Sequence, residues 1–211
     1  MLMKLMILLL TLMVCTGCSR DLDFNPYTTI IKEVIKNGKK INSQNFSTRN
    51  LLRKVKAEFV CTTEDPIDGL EFHQQLAKSD FEVKISTAFR PDKAILITND
   101  GYNEYVDKLG AAAEIEINTY TDLCDALKNR VAYFDKNGSK LSDHGLEHIY
   151  FENFTENEIN SIFKKKRENA ALTNEEALKF QSAILLFLSE TYHEFGWVQQ
   201  FHLGALRNNN A

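Results

Sequence analysis

Short apolar runs alternate with helix-like stretches along this chain, and this alternation limits its fold more than any other feature. Four runs have the length of a β-strand; they lie within AEFVCTT, FEVKISTAF, SKLSDHG and WVQQFHLGA. Strands that alternate with helices are typical of α/β proteins with a parallel sheet. We therefore predict an α/β fold.

Helix signals fill the stretches between these runs. Ser47 is predicted to cap a helix that contains Leu51, Leu52 and Val55. A second helix is predicted in TYTDLCDALKNRVAYFDKNG, with Thr121 as its cap and Gly138 as its end. The same reasoning predicts helices over residues 28–37, 66–79, 102–113, 156–169 and 174–195.

The strand ends carry side chains that can bind ligands or catalyse reactions. The four runs lead into CTTEDP, FRPDK, SDHG and FHLGALR. In a (β/α) barrel the functional residues lie at the carboxyl ends of the strands, on the loops that lead to the helices. The sequence agrees with that rule at all four strands, which favours a barrel of about four strand-helix units.

Two arginines are candidates for binding an anion. Arg207 lies in the same loop as His202, and a guanidinium there can bind a carboxylate or phosphate with two hydrogen bonds. Arg90 follows its strand in a similar way, although it could equally pair with Asp92 or another surface acid. A lone histidine after an apolar run is more often structural, but Arg207 favours a functional role for His202.

The remaining candidates are polar residues at two other strand ends. Asp143 and His144 are adjacent, so they can serve one site only where the strand turns, because neighbouring strand residues point to opposite faces. Thr63 and Asp65 either line a sugar site or form a turn and cap ahead of Pro66.

No sequence motif for metal or nucleotide binding is present. His144 and His202, with Asp143, would be the best metal ligands in the chain, but they specify a zinc site poorly. We assign no residue as a metal ligand. The residues alone predict a site for an anionic polar ligand, without indicating a reaction.

The first twenty residues differ from the rest. MLMKLMILLLTLMVCTGCSR has an early lysine and an apolar stretch too short to span a bilayer, and it resembles a lipoprotein signal with Cys18 as the lipidated cysteine. We therefore divide the chain into a signal-like leader, 1–20, and a folded part, 22–211. The net charge of -4 argues against a nucleic-acid partner.

Four stretches together resemble uronate isomerase, also called glucuronate isomerase, of the amidohydrolase superfamily. They are VCTTEDPIDGLEFHQQL, FRPDKA, KLSDHGLE and GWVQQFHLGALRNNN, in the same order and at similar spacing. The resemblance implies a partial (β/α)8 TIM barrel of amidohydrolase type that lacks the first and last barrel strands. It also implies interconversion of D-glucuronate with D-fructuronate and of D-galacturonate with D-tagaturonate.

Site roles follow from this resemblance. Arg90 and Arg207 suit the substrate carboxylate, with Thr63 and Asp65 as further substrate-binding residues. Asp143, His144 and His202 suit proton handling as catalytic residues, with their tasks undivided. The family uses a divalent, zinc-like metal, whose main ligands we expect to be absent from this chain, and it places the protein in the cytoplasm.

The resemblance leaves two explanations for the leader and the length. The chain is either an internal piece of a uronate isomerase or a short membrane lipoprotein that binds acidic sugars without catalysis. We favour the first, because an open half-barrel exposes sheet edges that promote aggregation or oligomerisation. We expect the chain to be inactive alone. A hydrolase of the same superfamily would require a metal bound by His144 and His202.

Overall fold

The computed structural model describes residues 44–204. The leader, Cys18, the helix predicted over residues 28–37 and Arg207 lie outside the described residues. The chain divides into two compact units, which are treated separately below. In the described range, the first unit comprises residues 44–62 and 72–86, and the second comprises residues 63–71 and 87–204.

Four strands form one sheet in the order β1-β2-β3-β4. The strands β2 and β3 are parallel, with Phe89 opposite Ser142, and β3 and β4 are parallel, with Leu141 opposite Val198. All four predicted strands are present, so the α/β prediction is confirmed. Their bounds are Phe59–Glu64 for β1, Lys84–Phe89 for β2, Leu141–His144 for β3 and Val198–Phe201 for β4.

Seven α-helices and a short 3-10 helix, Gln44–Phe46, accompany the sheet within residues 44–204. None of these helices is both long enough and apolar enough to cross a membrane. The α-helices are α1 Thr48–Lys54, α2 Glu71–Ala77, α3 Asp92–Ile95, α4 Tyr102–Ala113, α5 Tyr120–Lys136, α6 Glu156–Arg167 and α7 Asn174–Glu194.

The helix caps agree with the sequence in one case and correct it in another. Ser47 caps α1 as predicted, since its side chain accepts a hydrogen bond from the Asn50 amide. The predicted cap Thr121 is wrong: Thr119 caps α5 by accepting from the Asp122 amide at 3.2 Å. The Asp122 carboxylate accepts the Thr119 amide in return, which completes a capping box that Thr121 lacks.

Two other predictions needed correction. Residues 66–79 are not one helix, because the chain makes a turn in which the Asp68 amide donates to the Asp65 carbonyl, and α2 begins only at Glu71. Leu70, just before α2, has a φ of 57°, in the left-handed region that ends helical geometry. The short helix α3 lies in a polar stretch for which the sequence predicted no helix.

An aromatic cluster forms the centre of the second unit. The ring of Phe89, at the end of β2, meets Phe134 of α5 edge to face at 5.0 Å between centroids. It also meets Tyr192 of α7 and Trp197 at the start of the β4 segment. Phe89 and Phe134 are fully buried, and each such side chain contributes about 2–3 kcal/mol through removal of its surface from water. Helices α5 and α7 therefore pack against the face of the sheet that carries Phe89.

The first unit has a small core of its own. Leu52 of α1 packs with Val60 of β1 and Val83, which precedes β2. The Arg53 side chain of α1 is paired with Glu82, with Nε and Oε1 2.5 Å apart. This unit contributes no predicted site residue.

Candidate active site

The carboxylate of Asp143 is the centre of a polar cluster in the second unit. Its Oδ2 accepts a hydrogen bond from the Thr63 hydroxyl at 3.1 Å and another from Nη2 of Arg90. Its Oδ1 lies 3.2 Å from Nε2 of His202. The Asp143 side chain is only 5% exposed, whereas those of Arg90 and His202 are 32% and 34% exposed. The acid therefore lies beneath a guanidinium and an imidazole that both reach solvent.

The parallel sheet explains why these residues meet. Thr63 belongs to β1, Arg90 follows β2 directly, Asp143 belongs to β3, and His202 follows β4. The Arg90 amide donates to the Glu64 carbonyl, and the His202 amide donates to the His144 carbonyl at 2.7 Å, so both residues continue the sheet ladder. Carboxyl ends of parallel strands share one edge, and the four predicted residues assemble there.

The partner of Arg90 resolves the alternatives that its sequence position left open. Its guanidinium pairs with the buried Asp143 and not with Asp92, whose carboxylate accepts the Gly145 amide at 3.0 Å. Nε of Arg90 is buried without a hydrogen-bond partner among the described residues. Because the guanidinium has five N–H donors, this one-third exposed group keeps donors for an anionic ligand.

Nε2 of His202 and Oδ1 of Asp143 lie within the distance of an ion pair. A carboxylate beside Nε2 favours the tautomer in which Nε2 carries the proton, which makes Nδ1 the acceptor. An imidazole in this arrangement can take up a proton at Nδ1 while Asp143 stabilises the resulting cation. The pair is therefore suited to general acid–base chemistry.

His144 does not join this cluster. Its fully buried ring stacks on Phe201 with centroids 5.4 Å apart and lies 5.7 Å from the ring of Tyr192. Burial, with a smaller contribution from the charge of Arg90, lowers the pKa of His144 to about 4, so its ring is neutral at pH 7. The structure thus separates the two neighbours that the sequence had grouped as DH.

Asp65 lies one loop away from Asp143 and binds a different set of partners. Its carboxylate accepts from the Ile67 amide at 3.2 Å and from the Tyr105 hydroxyl at 2.9 Å, and it lies 3.1 Å from Nζ of Lys93. These contacts favour the turn interpretation of Asp65. Lys93 and Tyr105 were missed from the sequence, although the FRPDKA motif contains Lys93.

The residues that the structure describes do not form a site for a divalent metal ion. Within residues 44–204, no three His, Cys, Asp or Glu side chains converge in a way that could hold one. His144 lies on the helix-covered face, away from Asp143 and His202, so the combination considered from the sequence does not form. Oδ2 of Asp143 already accepts hydrogen bonds from Thr63 and Arg90.

Comparison with known proteins identifies the family of this chain. The family model described as glucuronate isomerase matches residues 26–211. The uronate isomerase of Flavobacterium johnsoniae is 72% identical over 172 residues, and that of Bacteroides fragilis is 48% identical over 174 residues; each match covers 82% of this chain.

A solved structure shares the fold as well. The crystal structure of uronate isomerase from Thermotoga maritima superposes with a TM-score of 0.73 at 30% identity, over 77% of this chain and 36% of that one. This chain spans about 37% of the length of the curated relatives that it matches. The match to the family model covers most of the sequence and includes every residue of the Asp143 cluster, and the chain therefore belongs to the glucuronate isomerase family.

Proposed function

We propose that this chain forms part of the active site of an enzyme that isomerises uronates, converting D-glucuronate to D-fructuronate and D-galacturonate to D-tagaturonate. The observation that carries the proposal is the group of Thr63, Arg90 and His202 around the Asp143 carboxylate. The chain spans only about 37% of its relatives, so the proposal concerns the longer protein to which such a segment corresponds.

The reaction needs three kinds of group. Aldose–ketose isomerisation moves a proton between C2 and C1 through an enediol, which requires a base, a group that polarises the carbonyl and a cation for the substrate carboxylate. Arg90 supplies a partly exposed guanidinium beside the buried acid. We propose that Arg90, together with Arg207, binds the substrate carboxylate.

His202 is proposed to handle the proton. Its Nε2 is held by Asp143, and the exposed third of its side chain faces solvent, where a sugar can approach. Asp143 would orient the ring and stabilise its cationic form, and Thr63 would hold the carboxylate in place. We propose that His144, which the resemblance suggested as a catalytic residue, instead supports this strand, since its buried ring stacks on Phe201.

We also propose that the sheet is one section of a (β/α)8 barrel. Three features support this: β2, β3 and β4 are parallel, the four strands lie in the order of the sequence, and the polar cluster lies at the strands' carboxyl ends. The face that carries Asp143 would then line the barrel interior, while the helices cover the other face.

A hybrid protein tests the proposed activity. The matched segment of this chain replaces the corresponding 172 residues of the Flavobacterium johnsoniae uronate isomerase, and glucuronate turnover is coupled to NADH-dependent reduction of fructuronate. We expect an active hybrid, and no turnover from the 211-residue chain alone. Asp143→Asn and His202→Gln should each lower kcat/KM at least about a hundredfold, as loss of a general acid–base group does.

Matched control variants separate the loss of a catalytic group from the loss of a similar surface side chain. Asp125→Asn removes an exposed acid and His148→Gln an exposed histidine, and both should leave kcat/KM within about twofold. An inactive hybrid that is nevertheless folded, or an active Asp143→Asn variant, would contradict the proposal.

A further inference from the structure

A buried arginine outside the cluster holds the loop that follows β1. Arg130 of α5 is 5% exposed, and its guanidinium donates to three backbone carbonyls. Nε donates to Pro66 at 2.7 Å, Nη2 to Asp68 at 2.9 Å, and Nη1 to Ala112 at 2.9 Å. Two of these three acceptors belong to one short loop.

The neighbouring Tyr133 strengthens the same attachment. Its hydroxyl donates to the Gly69 carbonyl at 2.5 Å, and its ring lies 4.2 Å beneath the Arg130 guanidinium. Arg130 and Tyr133 are three residues apart on α5 and therefore share one face of the helix. Together they occupy the carbonyls of residues 66, 68 and 69.

Hydrogen bonds within the loop also stabilise its turn. The Asp65 carboxylate accepts the Ile67 amide, and the Asp68 carboxylate accepts the Asp65 amide at 2.8 Å. Leu70, the last residue before α2, is buried with a φ of 57°. A non-glycine residue keeps such a backbone only where its surroundings determine it, and Arg130 and Tyr133 fix the carbonyls of the residues that precede Leu70.

Burial of the Arg130 guanidinium is unfavourable unless its effect on the position of the backbone offsets the cost. Desolvation lowers the pKa of Arg130, and the hydrogen bonds of its guanidinium go to carbonyls rather than to a carboxylate. An apolar residue would fill the helix face at lower cost. Arginine is, however, the residue whose planar guanidinium can donate to several carbonyls at fixed positions.

We infer that Arg130 is a positioning residue for the proposed site: it fixes loop 65–70 so that Asp65 holds Lys93 and Thr63 reaches Asp143. This inference rests on the proposed isomerase function. Asp65 connects the loop to Lys93 and Tyr105, and Thr63 lies two residues earlier at the end of β1. Arg130 acts through these residues and is not itself a candidate for substrate contact.

Hydrogen exchange on the full 211-residue chain tests the positioning without requiring activity. We expect Arg130→Met to speed exchange of the Asp65, Ile67 and Asp68 amides at least tenfold, while amides of α7 remain unchanged. Lys128→Met removes an exposed cation from the same helix and should change none of these rates. Unchanged loop exchange in a folded Arg130→Met chain would overturn the inference.

Two further variants keep the test decisive if Arg130→Met fails to fold. Tyr133→Phe removes only the hydroxyl to Gly69 and should speed loop exchange about two- to fivefold. Arg130→Ala should regain slow exchange in millimolar guanidinium, because the adjoining groove of about 390 Å³ gives the ion access to the guanidinium position. Slow exchange in Tyr133→Phe, or no rescue of Arg130→Ala, would contradict the inference.

The active hybrid gives the functional readout. Arg130→Met should lower kcat/KM at least tenfold at a temperature where the protein is fully folded, and guanidinium should restore part of the activity that Arg130→Ala loses. If the unsubstituted hybrid is inactive, the isomerase proposal fails, whereas the exchange result still decides the positioning. If the hybrid is active and Arg130→Met alters loop exchange but not kcat/KM, the role of Arg130 is structural only and the inference is wrong.

Discussion

Asp143 and His144 are consecutive in β3, and their side chains project to opposite faces of the sheet. The Asp143 carboxylate meets Thr63, Arg90 and His202, whereas the His144 ring packs on Phe201 and Tyr192. Strand geometry imposes this separation, because successive side chains alternate. One residue therefore belongs to the candidate site and the other to the core.

Loss of the Asp143 charge should destabilise the chain moderately. Asp143→Asn leaves Arg90 and His202 without their acidic partner, but both are about one-third exposed and can be hydrated. We expect the free energy of unfolding to fall by about 1–2 kcal/mol, toward the low end for a lost charged hydrogen bond. Urea titration at pH 7 measures this change, with Asp125→Asn as the control; an equal change in the two variants would contradict the expectation.

The buried His144 should make stability depend on pH. Its folded-state pKa of about 4 lies below the ordinary value of 6.5, so the unfolded chain binds the proton more tightly. The neutral ring thus stabilises the fold fully above pH 6.5, and this stability is lost as pH falls toward 4. The difference amounts to about 3 kcal/mol at most.

Urea titrations between pH 7 and pH 4 test this dependence. His144→Phe keeps an aromatic ring without a titrating group, so its stability should fall less steeply over this window. His148→Gln alters an exposed histidine and should retain the slope of the unsubstituted chain. Identical slopes in His144→Phe and the unsubstituted chain would show that burial of His144 does not govern the acid response.

The capping box of α5 gives a local test of the fold. Thr119→Ala removes the acceptor for the Asp122 amide and should lower the free energy of unfolding by about 1 kcal/mol. Thr121→Ala, two residues later in the first turn of the same helix, should change it by less than about 0.5 kcal/mol. Thermal unfolding followed by circular dichroism compares the two, and a larger loss in Thr121→Ala would restore the cap position predicted from the sequence.

Cys124 should resist alkylation in the folded chain. Burial raises the pKa of this thiol to about 12, so its reactive thiolate is roughly one part in ten thousand at pH 8. Iodoacetamide labelling followed by peptide mass spectrometry should modify the partly exposed Cys61 first. In urea the two cysteines should react at similar rates; equal rates without urea would contradict burial of Cys124.

The strands and most helices could be predicted because local sequence determines them. Apolar runs of strand length predicted β1 to β4. The helical pattern and its flanking residues predicted α4, which spans Tyr102–Ala113. The cap of α5 was misplaced because Thr119 and Thr121 both suit a cap, and only the reciprocal bond with Asp122 distinguishes them.

The sequence predicted which residues form the candidate site better than it predicted the contacts between them. The strand-end rule selected Thr63, Arg90, Asp143 and His202, which meet in the structure. It also selected His144, since a rule about position along a strand does not state which face a side chain takes. The links from Asp65 to Lys93 and Tyr105 join residues up to 40 positions apart, and no local pattern records such pairings.

The sequential order of the strands has a consequence for how the chain acquires its structure. Each strand pairs with the strand that precedes it along the chain, so the sheet can lengthen at one edge as synthesis proceeds. No described strand has to wait for a later segment before it can pair with the strand that precedes it, although each crossover must close before its pair forms. Folding during translation can therefore advance one strand at a time, with Asp143 in place before His202 leaves the ribosome.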